Sequence, residues 1–397
     1  MTTPFDQAYL TLTLEIEKHF PGYIDAYLGP PTLKAQVNAA PKRPPAALLD
    51  DCAALQVDMP TADATRHAYL TAMLRAVETT LRLLNGESFG YLEEVARLYD
   101  IQPALTDEAL FTAAHGELDA LLPGGGSLAE RMEARRKRYE LQSAQVLPLL
   151  ERAREACRHR TRRIVDLPAD EDIEIRLVSQ QPWSAYNWFL GHGRSLIEFN
   201  TDVPISALGL LGTFAHEGYP GHHTEGTLKE MALWRARGYG EQASFLLHSP
   251  AAVIAEGIAT TALEIIFPDE TDLAWTVENL LRPAGISPEP ITQMQRIAHA
   301  GRALRGVSAN AAILYHTDQI NRDQALDYLI TYGLSSPERA AKRFEFFTNP
   351  LFRSYIFTYT HGYDLIAAAA DGDKAPLFRR LLTEQILPSQ LAEISAH

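Results

Sequence analysis

Cysteine is nearly absent: Cys52 and Cys157 are the only two in 397 residues. They are far apart and match no metal-binding or redox spacing, so both read as core or surface thiols in a reducing, cytoplasmic setting. The amino-terminal segment lacks a basic region followed by an apolar run, so no signal peptide is expected. No apolar stretch reaches the ~18–20 residues that a membrane span requires. The most apolar region, residues 251–267, is interrupted by Glu256 and Glu264. Positive charge is in deficit: 36 Lys and Arg stand against 50 Asp and Glu, for a net charge of −14. That balance argues against nucleic acid or an anionic membrane as partner. The basic run Arg158 to Arg163 has no interleaved aromatic side chain and reads as a solvated helix end.

What is present is an ordinary globular composition, 46% hydrophobic and 22% charged, which excludes a disordered or fibrous chain. Residues 1–165 read as a helical region. A helix is expected from Tyr9 to Phe20, followed by a loop at Gly29-Pro30-Pro31. Residues 64–84 place Tyr69, Leu70, Met73, Leu74, Val77, Leu81 and Leu84 at helical intervals. Helices are also expected over 88–99 and 106–122. After Pro123-Gly124-Gly125-Gly126, Ser127 is placed to cap one long charged helix running towards Arg163.

The texture changes at residue 166, where a second, catalytic region is expected to pack with the first as one unit. Residues 172–179 alternate Ile173, Ile175 and Leu177 with charged neighbours, a strand pattern. Residues 185–190 and 195–200 flank Gly191-His192-Gly193-Arg194 and read as a β-hairpin. From Pro204 onward the pattern is helical, over 205–215, 222–236, 241–267, 288–317 and 322–332. The expected fold is therefore mainly α with a small antiparallel sheet.

The chemistry concentrates in Phe214-Ala215-His216-Glu217-Gly218-Tyr219-Pro220-Gly221-His222-His223. Three of the chain's thirteen histidines fall in these few residues, beside a glutamate at the end of an apolar segment. A His-Glu pair followed by another His is how zinc peptidases bring two imidazoles and a general base together. The usual second His lies four residues after the first, where this chain has Pro220. On an unbroken helix His222 lies roughly 240° around from His216, and His223 shares its direction but sits about 10 Å further along the axis. Pro220-Gly221 breaks helical geometry, so a two-residue expansion can return His222 to the side of His216. The third ligand is Glu256, a carboxylate among Val253, Ile254, Ala255, Ile258 and Ala259, where an unpaired charge costs several kcal/mol. Glu264 reads as a surface charge or a more distant partner.

These residues carry a resemblance. His216-Glu217-Gly218-Tyr219-Pro220-Gly221-His222-His223, preceded by Glu198-Phe199-Asn200-Thr201-Asp202 and followed by Glu256-Gly257, resembles the domain of unknown function 885 family of bacterial proteins. The segments Pro21 to Pro30 and Arg322 to Tyr328 extend the likeness over most of the chain. The family's tryptophan after Glu-Gly is Ile258 here. The resemblance implies a gluzincin-like metallopeptidase architecture, with one Zn2+ per chain on His216, His222 and Glu256, and Glu217 as general base. It also implies a carboxy-terminal Tyr or His that stabilises the oxyanion, for which Tyr359 and His361 are the candidates, with Tyr355 behind them.

Weighed as residues alone, Tyr355, Tyr359 and Tyr363 share one helix face and are by default core packing. His223 is the alternative ligand to His222; His192 reads as an exposed turn residue, and His316 as core or cleft lining. Arg302, Arg305 and Arg353 are candidates for a substrate carboxylate, or surface ion pairs. The strand over 195–200 is expected beside the cleft, offering its edge to an extended peptide. The expected activity is zinc-dependent hydrolysis of a peptide or small amide substrate, as by a carboxypeptidase or oligopeptidase. The rivals are a zinc hydrolase of another amide or ester, and a non-catalytic binding protein on a peptidase scaffold.

Overall fold

Side-chain caps set many of the helix starts. The structure is a computed structural model and describes residues 3–181, 183–202, 204–268, 271–370 and 374–395; the extreme ends of the two expected regions, 1–2 and 396–397, lie outside it. α1 (Pro4–His19) begins at a capping box in which the Asp6 N–H donates to the Thr3 hydroxyl and the Thr3 N–H to the Asp6 carboxylate. β1 (Ile24–Tyr27) follows, then α2 (Pro31–Ala39) and α3 (Pro45–Val57), both started by proline in the first turn. α4 (Ala64–Leu84) takes the bounds its spacing predicts, with Asp63 accepting from Thr65 and Arg66. α5 (Tyr91–Tyr99) and α6 (Glu108–Leu121) start two or three residues later than expected.

The long charged helix expected from Ser127 is instead two helices, α7 (Leu128–Arg138) and α8 (Ser143–Thr161). Ser127 does cap the first, in a box with Glu130. The break has a packing cause. Tyr139 and Leu141 are buried in the core. The backbone there pairs outward: Leu141 N–H donates to the Ile205 carbonyl at 2.9 Å, and Ala207 N–H to the Tyr139 carbonyl at 2.8 Å. A continuous helix keeps those groups in its own ladder.

β2 (Asp172–Val178), β3 (Ala185–Gly191) and β4 (Arg194–Asn200) form a sheet in the order β2-β4-β3. The β3–β4 hairpin is antiparallel, as expected. β2, however, runs parallel to β4, with Ile173 opposite Ser195 and Val178 opposite Asn200, so the sheet is mixed rather than antiparallel. β4 is its central strand, and both of its edges are taken. The edge that reaches the cleft therefore belongs to β3, which corrects the expectation for residues 195–200.

α9 (Ala207–Glu217) and α10 (His222–Lys229) carry the motif. A π-helical turn over Glu230–Arg235 leads to β5 (Ser244–Leu246), which interrupts the helix expected over 241–267 and pairs antiparallel with β1. Two strands this short show no useful alternation, and their pairing is long-range. α11 (Pro250–Ile266) is buried along nearly its whole length. α12 (Thr271–Thr276), α13 (Ile291–Ala303), α14 (Val307–His316), α15 (Arg322–Thr331), α16 (Pro337–Thr348), α17 (Ile356–Ala369), α18 (Ala375–Thr383) and α19 (Pro388–Ser395) complete the chain.

Apolar packing ignores the boundary expected at residue 165. Phe5, Tyr9 and Leu81 share a cluster with Leu246, Ala251 and Leu387, while Tyr91 and Phe111 pack with Val253, Phe347 and Phe357. α11 lies across α17 at a glycine pair: a Cβ on Gly257 would meet the Gly362 carbonyl oxygen at 2.6 Å. This close crossing lays the Tyr355–Tyr363 face of α17 on the carboxylates of α11. No single helix among the described residues is long and apolar enough to cross a membrane.

Candidate metal centre

The motif works because α9 stops where it does. Ser206 caps α9 by accepting from the Leu208 N–H, and Leu210, Leu211, Phe214 and Ala215 bury its apolar face. That burial leaves His216 at the last turn. The chain then jogs through Gly218 to Gly221. Gly221 N–H donates to the Ala215 carbonyl at 3.0 Å, and Glu225 N–H to the Gly221 carbonyl at 2.9 Å. A Cβ on Gly221 would overlap the His216 carbonyl oxygen, so only glycine closes the turn. As the sequence predicts, the expansion sets His222 beside His216, with ring centroids 4.8 Å apart and planes at 89°.

Glu256 of α11 completes the group. Its Oε2 is 3.4 Å from His216 Nε2 and its Oε1 is 3.8 Å from His222 Nε2. One ligand atom from each residue lies within 4.8 Å of the others. Glu256 is only 4% exposed. Its Oε1 accepts from the Tyr355 hydroxyl at 2.7 Å, while its Oε2 is buried with no hydrogen-bond partner among the described residues. Burial pushes this carboxyl up to about 8, against the Tyr355 hydrogen bond and with Glu225 and Asp25 adding to the rise. Burial holds His222 down at about 4; burial and the neighbouring His222 lower His216 as well. Two imidazoles held neutral and an orphaned carboxylate oxygen are a donor set that fits zinc. A dication there gives Glu256 the partner it lacks.

Glu217 points into the same space. It is 8% exposed, and burial, then Glu256 and Asp25, push its acid well above the usual carboxylate range, against a hydrogen bond from the Asn187 backbone N–H. The Asn187 side-chain amide also donates to the Glu217 carbonyl, tying β3 to the end of α9. Just before α17, Tyr355 is committed to Glu256, and from within it Tyr363 donates to Glu264 at 2.8 Å. Tyr359 between them makes no hydrogen bond among the described residues, yet faces Glu256 and Glu217 closely enough that both raise its phenol beyond the effect of burial. It is the hydroxyl left available to a ligand.

Other expected residues go elsewhere. His361 does not line the cleft: its ring packs on Phe357, with centroids 5.7 Å apart, and its Nδ1 lies 3.3 Å from the Thr360 hydroxyl. Two residues past Tyr359, the helix has turned about 200°. His223 is fully buried between the Ser195 hydroxyl, 2.8 Å from Nδ1, and Glu171, 3.3 Å from Nε2, so His222 is the histidine beside His216. Glu264 is half-buried and paired with Lys374 at 2.8 Å rather than a free surface charge. His192 is exposed in the hairpin turn, and His316 holds the Phe347 carbonyl at 2.7 Å. Arg302 and Arg305 line the cleft, but Arg353 pairs with Glu94 at 3.5 Å.

The cleft has a volume of about 2460 Å3 and is lined by β3, α9, α10, α11 and α17 around the His-His-Glu group, with Asp25 of β1 close by. Asp25 was not singled out from the sequence, although it lies in the Pro21–Pro30 segment. The Tyr186 hydroxyl donates to it. A lone Asp in a four-residue strand carries no motif, and the β1–β5 pairing that places it is invisible locally.

No family model matches the chain, and no curated protein matches it in sequence. Among solved structures it is similar to the "putative lipoprotein from Colwellia psychrerythraea", with 14% identity and a TM-score of 0.55 over 88% of this chain and 66% of that one. It is also similar to the "putative lipoprotein of unknown function from Shewanella oneidensis", with 13% identity and a TM-score of 0.46 over 88% of this chain and 70% of that one. The chain thus spans just under two thirds of the Colwellia protein. The first likeness shows a shared fold and nothing finer.

Proposed function

We propose that this chain is a zinc-dependent hydrolase, a metallopeptidase of gluzincin-like design resembling the domain of unknown function 885 family. One observation carries the reading: Glu256 is buried with Oε2 unpartnered, facing two neutral histidines in a cleft that also holds Glu217. An ion held between the three side chains accounts for that orphan.

His216, His222 and Glu256 hold the ion, and Tyr355 fixes Glu256 through Oε1. Zinc bound there supplies Lewis acidity, activating water and polarising a carbonyl. Glu217 is the base that takes the proton from the attacking water and returns it to the leaving amine; burial, Glu256 and Asp25 raise its acid, which favours accepting that proton. Tyr359 offers its free O–H to the oxyanion that develops on the carbonyl. The open edge of β3 offers backbone groups to an extended chain. Cys52 and Cys157, both buried and unpaired, support a reducing cytoplasm as its setting within this reading.

Elemental analysis tests it first. About one zinc per chain is expected, lost in His216→Ala and Glu256→Ala. Glu217→Gln is expected to keep the zinc and abolish cleavage in a peptide panel. Absence of stoichiometric zinc in the wild type after loading and dialysis sinks the reading. Cleavage of esters or non-peptide amides but no peptide would reassign the substrate.

A further inference from the structure

Around the proposed reaction centre the cleft is rich in acidic groups: Asp25 of β1, Glu217 of α9, Glu225 of α10 and Glu256 of α11 line it. Arg305, after α13, and Arg339 and Arg343 of α16 also line it, the last two beside Glu338 and Glu345 of the same helix. Arg343 is depressed by burial and by the neighbouring Arg136 and Arg339, the mark of a region where cations crowd one another.

Around that centre the charges do not balance. Glu225 is neutralised by Lys229 at 2.7 Å. Glu217 and Glu256 together match one dication. Asp25 remains. Its Oδ1 takes the Tyr186 hydroxyl, and it makes no ion pair among the described residues. Asp25 lines the same cleft as Glu217, Glu256, Tyr355 and Tyr359, the groups around the proposed reaction centre. The same cleft holds an orphaned acceptor that the metal does not use, Asn187 Oδ1 on β3, on a side chain more than nine-tenths buried. The surplus negative charge is thus built in beside an already acidic pocket, at a cost that a cationic ligand offsets.

We propose that Asp25, held in place by Tyr186, binds the free α-ammonium of the substrate, so that peptides enter amino terminus first. This rests on the reading of the site as a peptide-hydrolysing metal centre. The ammonium then lies beside the first carbonyl of the chain, the one Glu217 and Tyr359 face. The rest of the peptide runs on along the cleft past Arg305, which suits an acidic side chain or the carboxylate of a short peptide. The site is that of an aminopeptidase or a short-peptide hydrolase, and carboxy-terminal trimming of long chains is disfavoured.

Calorimetry on the zinc-loaded full chain tests this without turnover, with leucinamide and N-acetyl-leucinamide as probes. Leucinamide is expected to bind at least about tenfold more tightly. Asp25→Asn should erase the difference, and Tyr186→Phe should reduce it. Equal binding, tighter binding of the acetylated probe, no detectable binding of either, or an unchanged preference in folded Asp25→Asn overturns the proposal. The wild-type comparison stands even if the variants fail to fold. Cleavage arms separate this failure from that of the wider reading. Equal cleavage of free and acetylated peptides removes the ammonium anchor and leaves the peptidase. An ammonium preference in binding with no peptide cleaved upholds the anchor and removes the peptidase.

Discussion

His222 and His223 are neighbours in sequence and opposites in environment. His222 opens to the cleft, with a side chain 23% exposed, and faces Glu256. His223 is sealed and faces Glu171. The two glutamates, both buried, are driven apart. Glu256 keeps one orphaned oxygen and rises to about 8. Glu171 also resists burial, but hydrogen bonds from His223, Tyr219 and Arg158 outweigh it and hold the carboxyl at about 2. Arg162 adds an ion pair at 3.2 Å. One His–Glu pair is complete and ties the sheet to α10. The other is incomplete, and incompleteness in a buried carboxylate is what points to a missing ligand.

The largest expected effect separates the two glutamates. Glu256→Gln should lose bound zinc and all turnover while the chain stays folded. Glu171→Gln should keep its zinc but lose on the order of 3 kcal/mol of stability, because Arg158 and Arg162 are left facing a neutral group. Elemental analysis and urea unfolding of both variants check this. Loss of zinc in Glu171→Gln at full stability would break the comparison.

The same pair predicts an acid limb. Glu171 binds protons less readily folded, at about 2, than at its ordinary value of 4.5. Its contribution is therefore fully present above about pH 4.5 and is lost as pH falls towards 2. Glu171→Gln should flatten that slope in unfolding midpoints measured across the range; an equal slope in the variant assigns the acid limb to other carboxylates.

A smaller effect probes how the open pair is supported. Tyr355→Phe removes the donor to Glu256 Oε1 and should weaken zinc about 10- to 100-fold in a chelator competition, without emptying the site at saturating metal. Gly362→Ala acts from further away. A Cβ there meets the Val253 carbonyl and, at 2.6 Å, the Gly257 nitrogen. Forcing α11 from α17 should cost roughly 1–3 kcal/mol and lower kcat more than zinc content, because Tyr359 moves with the helix.

Much of the open pair was legible in the sequence. The His216-Glu217 spacing, the Pro220-Gly221 break and a carboxylate amid the apolar run around Glu256 are local signals, and each predicts chemistry. The sealed pair was not legible. Glu171 precedes a strand as an ordinary surface-type residue, and only the parallel pairing of β2 with β4 brings it to His223. The same limit hid Asp25, the break at Tyr139 and the edge role of β3, all set by contacts far apart in sequence. His361 failed for a different reason: it was paired with Tyr359 by the resemblance, against the helix period that turns it away.

The smallest effect is expected where the chemistry looks most suggestive. Ser195, His223 and Glu171 line up as serine, histidine and acid, the order of a serine hydrolase triad. Yet they are 3%, 0% and 2% exposed, and it is Nδ1 of His223 that faces the serine hydroxyl and Nε2 that faces the acid. No carbonyl reaches Ser195 without opening the sheet from α10. Ser195→Ala should therefore cost only about 1 kcal/mol, the worth of one buried hydrogen bond, and leave kcat/KM on a peptide substrate unchanged. A fluorophosphonate probe should fail to label the wild type. Labelling at Ser195, together with loss of hydrolysis in Ser195→Ala, would exchange the roles of the two pairs and make the sealed one the reaction centre.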